Sequence, residues 1–208
     1  MAIKNIILDL GGVLLNIDYH KTIDAFKSLG IENFDSIFTQ AKQEKLFDLY
    51  ESGQMHSDKF IEELKSKLPG DITSQEIIDA WNAMLLDFPE ERLKYLLELK
   101  KKYNTVLLSN TNPIHLEAFH KIIKDNNNLD SLDAHFNKVY FSSDMKMRKP
   151  SPNIFTRVCE EQGFKPEETL FIDDTLQHVE GAKAAGLQAH HLNLPEQDII
   201  GLLGTLLT

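Results

Sequence analysis

The sequence holds one cysteine, Cys159, so no disulfide can close within the chain, and cysteine usage points to a reducing compartment. Long apolar runs are missing as well. No stretch approaches the roughly 18 consecutive apolar residues of a membrane-spanning helix. Basic charge is scarce: 22 Lys and Arg face 32 Asp and Glu, for a net charge of −10. That balance excludes a general electrostatic grip on nucleic acid, and a phosphorylated partner would need a locally positive site. No internal repeat or low-complexity tract appears, and "MAIKN" runs straight into a strand pattern without a signal-peptide signature. The expectation is a soluble, cytoplasmic globular protein with neither nucleic acid nor membrane as partner.

What is present is a chain of 208 residues, 42% of them apolar, enough for one substantial core with a smaller module attached. Short apolar runs at Ile3–Asp9, Thr105–Ser109, Lys138–Phe141, Thr169–Asp173 and Leu187–Leu192 alternate with helical patterns. That alternation predicts an α/β fold, a parallel sheet covered by helices. "PEERLKYLLELKKK" opens at Pro89 with acids in its first turn and closes on lysines, in keeping with the helix dipole. "SPNIFTRVCEEQG" repeats the scheme, with Ser151 as N-cap and Pro152 at the first helical position, and "LQHVEGAKAAG" ends on Gly186. Residues 18–88 break the alternation. They hold no convincing strand but several helical stretches, among them "SDKFIEELKSKLPG", capped by Ser57, and "TSQEIIDAWNAML", with Thr73 and Glu76 at capping-box spacing. "NNN" at 126–128 reads as a loop.

"IILDLGGVLL", residues 6–15, poses the functional question, because a strand interior does not welcome an aspartate. Asp9 ends the first strand pattern, Ser109 the second, Asp173 and Asp174 the fourth, and Lys149 follows the third. Open α/β sheets bind ligands at the carboxyl ends of their strands, so one sheet edge would gather three carboxylates, a hydroxyl and an ammonium. Carboxylates side by side repel unless a cation neutralises them. Hard oxygen ligands suit magnesium, a lysine beside them supplies a point charge for an anion, and Ser109 with the amides after it suits phosphate oxygens. These residues point to magnesium-dependent phosphoryl transfer.

The four segments "ILDLGGV", "LLSN", "MRKP" and "LFIDD", in that order, resemble the motifs of the haloacid dehalogenase superfamily, across nearly the whole chain. The resemblance implies a Rossmann-like three-layer core, residues 1–17 and 89–208, with residues 18–88 as an all-helical cap inserted after the first strand. It implies that Asp9 is a nucleophile forming an aspartyl-phosphate, that Ser109 and Lys149 hold the transferring phosphoryl group, and that Asp174 binds Mg2+. Asp173 would support the metal through water, and the Gly11 carbonyl would also bind it. Candidate phosphate contacts are thus Ser109, Asn110, Lys149 and Gly11; candidate metal contacts are Asp9, Gly11, Asp173 and Asp174. The substrate implied is a small phosphate ester.

Two departures stand out. The phosphatases of this superfamily usually carry a second aspartate, a general acid and base, two residues after the nucleophile; here that residue is Gly11. Losing such a group costs about 10²- to 10⁴-fold in rate, less where the leaving group is good. "DLGGVLLNIDY", "LSNTN" and "DMKMRKP" resemble the bacterial α-D-glucose-1-phosphate phosphatase branch, which has glycine at the same position and an anomeric leaving group. The second departure is His178, where Asn or Asp is common; it reads as a partner of the metal site or lysine, as a substitute for the missing acid, or as a packing residue. Other expectations are structural: Arg148 solvated outward, Asp18, Tyr19 and His20 at the hinge or cap surface, and Cys159 and Trp81 in apolar cores. Two alternatives to a phosphatase are a metal-independent 2-haloacid dehalogenase and a phosphate-binding regulatory protein with little turnover. If Gly11 is tolerated because the leaving group is good, Gly11→Asp should accelerate hydrolysis of alkyl phosphates more than anomeric ones; equal acceleration of both overturns this account.

Overall fold

The structure, a computed structural model, describes residues 2–34, 36–37 and 45–207. Five strands, β1 (Asn5–Leu8), β2 (Asn104–Ser109), β3 (Lys138–Phe141), β4 (Thr169–Asp173) and β5 (Gln188–His191), form one parallel sheet in the order β3-β2-β1-β4-β5. The described helices are α1 (Tyr19–Ser28), α2 (Leu46–Glu51), α3 (Ser57–Lys67), α4 (Ser74–Asn82), α5 (Glu90–Lys100), α6 (Pro113–Asn127), α7 (Ser142–Met145), α8 (Pro152–Gln162), α9 (Leu176–Ala184) and α10 (Ile199–Leu206).

Period-two alternation sorts the strand side chains between two layers. Ile6, Leu8, Leu107, Leu170 and Ile172 pack against Leu93, Leu96 and Leu99 of α5, Phe119 and Ile123 of α6, and Leu203 of α10. Ile7, Val106, Leu108 and Phe171 face the opposite way, onto Ile154, Phe155, Val158 and Cys159 of α8 and Val179 and Ala182 of α9. The central strands are buried on both faces, which is why they read as continuous apolar runs. Cys159 is a core residue, as expected. The chain winds from β1 to β2 and β3 on one side, then crosses to β4 on the other side of β1. That reversal leaves a crevice beyond the carboxyl ends of β1 and β4, the natural ligand site of such a sheet.

Residues 18–88 hold α1–α4 and no strand among the described residues. Phe26, Phe34, Phe47, Tyr50, Phe60 and Trp81 pack in an apolar cluster of their own. The two chain crossings into this segment are tied together: Asp18 N–H donates to Met84 O, Asn16 N–H to Asp87 O, and Leu86 N–H to Asn16 O, each at 2.9 Å. No described helix is long and apolar enough to cross a membrane.

Local expectations mostly hold. Thr73 and Glu76 make both bonds of the capping box. Others are corrected. Ser57 opens α3 from within the helix and His56 is the N-cap, because the Ser57 hydroxyl is drawn to the buried Tyr50 hydroxyl at 2.8 Å. Pro89 sits at the N-cap of α5 rather than inside it, and Ser151 holds the N-cap position of α8 without a side-chain cap bond. "NNN" is helical through Asn127, with Asn128 as a left-handed C-cap; Asn127 Nδ2 donates to Phe88 O at 3.1 Å, a tertiary contact that carries the helix onward.

Gly181 couples this packing to the site. A Cβ on Gly181 would lie 2.0 Å from the carbonyl oxygen of Pro150, so α9 touches the loop behind Lys149 only because the residue is glycine. Gly181→Ala should therefore destabilise the protein by about 1–3 kcal/mol, as overpacking does. Urea denaturation reads this out; an unchanged midpoint would show that the loop moves freely from α9.

Candidate active site

Asp9 follows β1, and its N–H donates to Ile172 O at 3.0 Å, so pairing with β4 carries on to the carboxylate itself. Lys149 arrives on the loop after α7 with its side chain fully buried. Its Nζ lies 2.7 Å from Asp9 Oδ1 and 2.6 Å from Asp173 Oδ2, and 5.4 Å from the centre of the Phe171 ring. Asn110 fixes this loop: its Nδ2 donates to Lys149 O at 3.0 Å and its Oδ1 accepts from Lys149 N–H at 2.9 Å. The Asn110 side chain is thus engaged with Lys149, and only its backbone N–H is left for an anion. Ser109 ends β2 and is buried, its hydroxyl 3.4 Å from Asn110 O.

Charge is unbalanced here. Burial, with Asp173 close by, pushes the Asp9 carboxyl up to about 7 despite Lys149. Burial and Asp173 also raise Asp174, to about 6. Asp173 goes the other way: burial opposes its charge, but Lys149 and His178 hold it well below the usual carboxylate range. Lys149 is kept protonated against its own burial by Asp173 and Asp9. One ammonium among three carboxylates leaves room for a further cation.

His178 Nδ1 lies 3.0 and 3.1 Å from the two carboxylate oxygens of Asp173, and since a carboxylate only accepts, Nδ1 carries the proton. Asp173 also accepts from Thr175 N–H at 2.8 Å. It is therefore both the turn-capping residue and the partner of Lys149 and His178, and its oxygens are already occupied. Asp174 is the freer carboxylate. A Cβ on Gly12, whose φ is +74°, would come within 2.3 Å of Asp174 Oδ2, so glycine makes the cradle in which that carboxylate rests. Oxygens of Asp9 and Asp173 and a ring nitrogen of His178 lie within 4.8 Å of one another, a set that does not include Asp174.

The helical segment faces this edge. Arg148 is not solvated outward as its sequence context predicts: its guanidinium pairs with Asp48 and, at 2.8 Å, with Glu51 Oε2, both on α2. Ser142 Oγ donates to Glu51 O at 2.6 Å and Lys146 Nζ to Gly53 O at 2.7 Å, which docks the end of α2 on the loop that carries Lys149. Between the two lies a cleft of about 620 Å³ lined by Tyr19, Asp48, Glu51, Arg148, Gln177 and His178 among others. Asp18 caps α1, accepting from His20 N–H at 3.0 Å, and His20 is exposed. Trp81 is buried in the cluster of the helical segment, as expected. Glu51 and Asp48 escape a reading of the sequence: "LFDLYESG" looks like an ordinary amphipathic helix end, and only docking against Arg148 reveals their place.

The carboxyl of Asp9 titrates near 4 unfolded and near 7 folded, so its contribution to stability is complete below about pH 4 and is lost as pH rises to about 7. Metal-free Asp9→Asn should consequently melt higher than the parent at about pH 8, with the gain shrinking toward about pH 5. Thermal denaturation in EDTA tests this; a lower melting temperature at the alkaline end overturns it.

The sequence pattern of haloacid dehalogenase-like hydrolases matches residues 3–186. D-ribitol-5-phosphate phosphatase of Bacteroides thetaiotaomicron is 31% identical over 186 residues, covering 89% of this chain and 90% of that protein. A crystal structure of a haloacid dehalogenase family enzyme from Bacteroides thetaiotaomicron superposes with a TM-score of 0.89 at 34% identity, over 98% of this chain and 99% of that one. Its complex with magnesium and inorganic phosphate superposes at 0.83 with 35% identity, over 94% and 97%. With the motif residues gathered at one sheet edge and the match running through all of them, the chain is an enzyme of the haloacid dehalogenase-like hydrolase family.

Proposed function

We propose that this enzyme is a magnesium-dependent phosphatase that hydrolyses a small phosphate ester of a sugar or sugar alcohol through an aspartyl-phosphate on Asp9. The observation that carries the reading is the buried Lys149 ammonium, 2.7 Å from Asp9 Oδ1, at a sheet edge where carboxylates outnumber cations. Asp9 attacks phosphorus and the ester P–O bond breaks; the alcohol leaves with a proton. Water then attacks the acyl phosphate, releasing inorganic phosphate and restoring Asp9. Lys149 orients Asp9 and neutralises charge on the phosphoryl oxygens, while the Ser109 hydroxyl and the N–H groups of Asn110 and Gly11 bind those oxygens. Asn110 positions Lys149 through its two backbone bonds.

The donor set fits magnesium: hard oxygens, repelling carboxylates and the Gly12 cradle beside Asp174. Asp9, the Gly11 carbonyl and Asp174 would hold it, with Asp173 as outer support. When bound, the ion supplies positive charge that keeps these carboxylates ionised and offsets that of the phosphoryl group. Residues 18–88 act in this reading as a cap over a core of residues 1–17 and 89–208, shielding the reaction from water and limiting it to small substrates.

D-Ribitol 5-phosphate, the substrate named for the 31% relative, is an ester of a primary alcohol and supports a sugar or sugar-alcohol phosphate here. Gly11 favours a second reading, an anomeric ester such as glucose 1-phosphate, whose leaving group needs less help. Dehalogenation needs no metal, and the excess of carboxylates would repel its anionic substrate. The test is phosphate release from ribitol 5-phosphate, glucose 6-phosphate and glucose 1-phosphate, with magnesium or EDTA. Release should require magnesium and vanish in Asp9→Asn. Binding of phosphate without turnover of any ester would defeat the reading in favour of a regulatory role.

A further inference from the structure

This inference rests on the phosphatase reading and assigns the proton that Gly11 leaves without a donor. In an in-line displacement the departing alkoxide is protonated from the side away from Asp9, and the helical segment docks over the loop that carries Lys149. His178 lines the cleft with Nδ1 on Asp173, but it stands on α9, on the core side beside Asp173 and not in the helical segment, and His20 is exposed and absent from the cleft lining. Tyr19 lines the cleft with 61% of its surface exposed, and partial desolvation with Asp174 and Asp9 nearby drives its phenol further up, away from any useful acidity. Asp48 is half exposed.

Glu51 is placed differently. It is the last residue of α2, its backbone carbonyl is fixed by Ser142 at 2.6 Å, and its Oε2 is held by Arg148 Nη2 at 2.8 Å. Arg148 is the chain neighbour of Lys149, so one loop holds both the phosphate-side ammonium and the arginine that aims Glu51. The side chain is 23% exposed, and it lines the cleft. Oε1 has no hydrogen-bond partner among the described residues and is left for a ligand. Arg148, Asp48, Lys149, Asp9 and Tyr19 are the charged or titratable groups facing it.

We propose that Glu51, reaching across the cleft from the helical segment, is the general acid and base that replaces the missing core aspartate. In the first step the Glu51 carboxylic acid gives its proton to the bridging ester oxygen as Asp9 Oδ bonds to phosphorus and the P–O bond breaks. In the second, the Glu51 carboxylate takes a proton from the attacking water, the acyl-phosphate bond cleaves to phosphate and Asp9, and the acid is regenerated. Burial, opposed by Lys149 and aided by Asp9, pushes the Glu51 carboxyl up to about 7, suited to both roles at neutral pH. An arriving phosphate dianion raises it further.

Glu51→Gln keeps a hydrogen-bonding group for Arg148 but cannot donate and accept the proton in turn. The test compares kcat/KM, which reports the first step, for an alkyl phosphate turned over by the wild type and for p-nitrophenyl phosphate, whose leaving group needs no proton. Glu51→Gln should lose about 100-fold or more on the alkyl ester and only a few-fold on the aryl ester. Gly11→Asp added to that variant should restore alkyl turnover; a Cβ on Gly11 would meet only Ile17 side-chain atoms, at 3.3 and 3.7 Å. Equal losses on both esters without rescue would reduce Glu51 to a positioning partner of Arg148 and overturn the proposal. Should Glu51→Gln fail to fold, the wild type answers alone: its kcat/KM should vary little with leaving-group pKa, and a steep dependence overturns the role. No turnover of either ester by the wild type would instead defeat the phosphatase reading itself.

Discussion

A lysine ammonium buried between two carboxylates is the constraint on which this structure turns. Lys149 has no water to solvate it, so Asp9 and Asp173 must supply its charge balance, at 2.7 and 2.6 Å. Removing Asp173, the partner that stays ionised, from such a buried pair typically costs about 3–5 kcal/mol, because a bare charge is left behind. The demand reaches back into the fold. β1 and β4 must be neighbours for their terminal aspartates to flank one nitrogen, and their register pairs Leu8 with Ile172. Asn110 pins the lysine's backbone from the end of β2, so three strands converge on a single residue.

The same arrangement leaves carboxylate charge at the site that Lys149 alone does not balance. Lys149 satisfies Asp173 most completely, with His178 completing that carboxylate's shell, and Asp9 and Asp174 remain pushed up by burial and mutual repulsion. Asp173 thus serves the lysine, while Asp174 is seated against Gly12. A second cation, Arg148, faces the other way and binds the helical segment through Asp48 and Glu51. Adjacent residues in one loop therefore contact both sides, Lys149 the strand-end aspartates and Arg148 the carboxylates of α2.

Much of this was legible in advance, for reasons that differ by element. β2 and β4 were readable because buried parallel strands are apolar on both faces and short. The capping box at Thr73 and Glu76 was readable because both partners lie within one helical turn. Ser57 and the 126–128 asparagines were misread because the deciding contacts, to Tyr50 and Phe88, come from elsewhere in the chain. Arg148 was misread for the same reason: its carboxylate partners lie about a hundred residues away, and nothing local signals them.

By itself the sequence determined the alternation of strand and helix, the residues at the strand ends and the replacement of a carboxylate by Gly11, since these depend on local periodicity and residue identity. Only the tertiary structure decided which aspartate is occupied by Lys149 and His178, which is left beside Gly12, and that Glu51 enters the cleft beside Arg148. Those outcomes depend on burial and distance between segments far apart in the chain, and electrostatic energy is set by both.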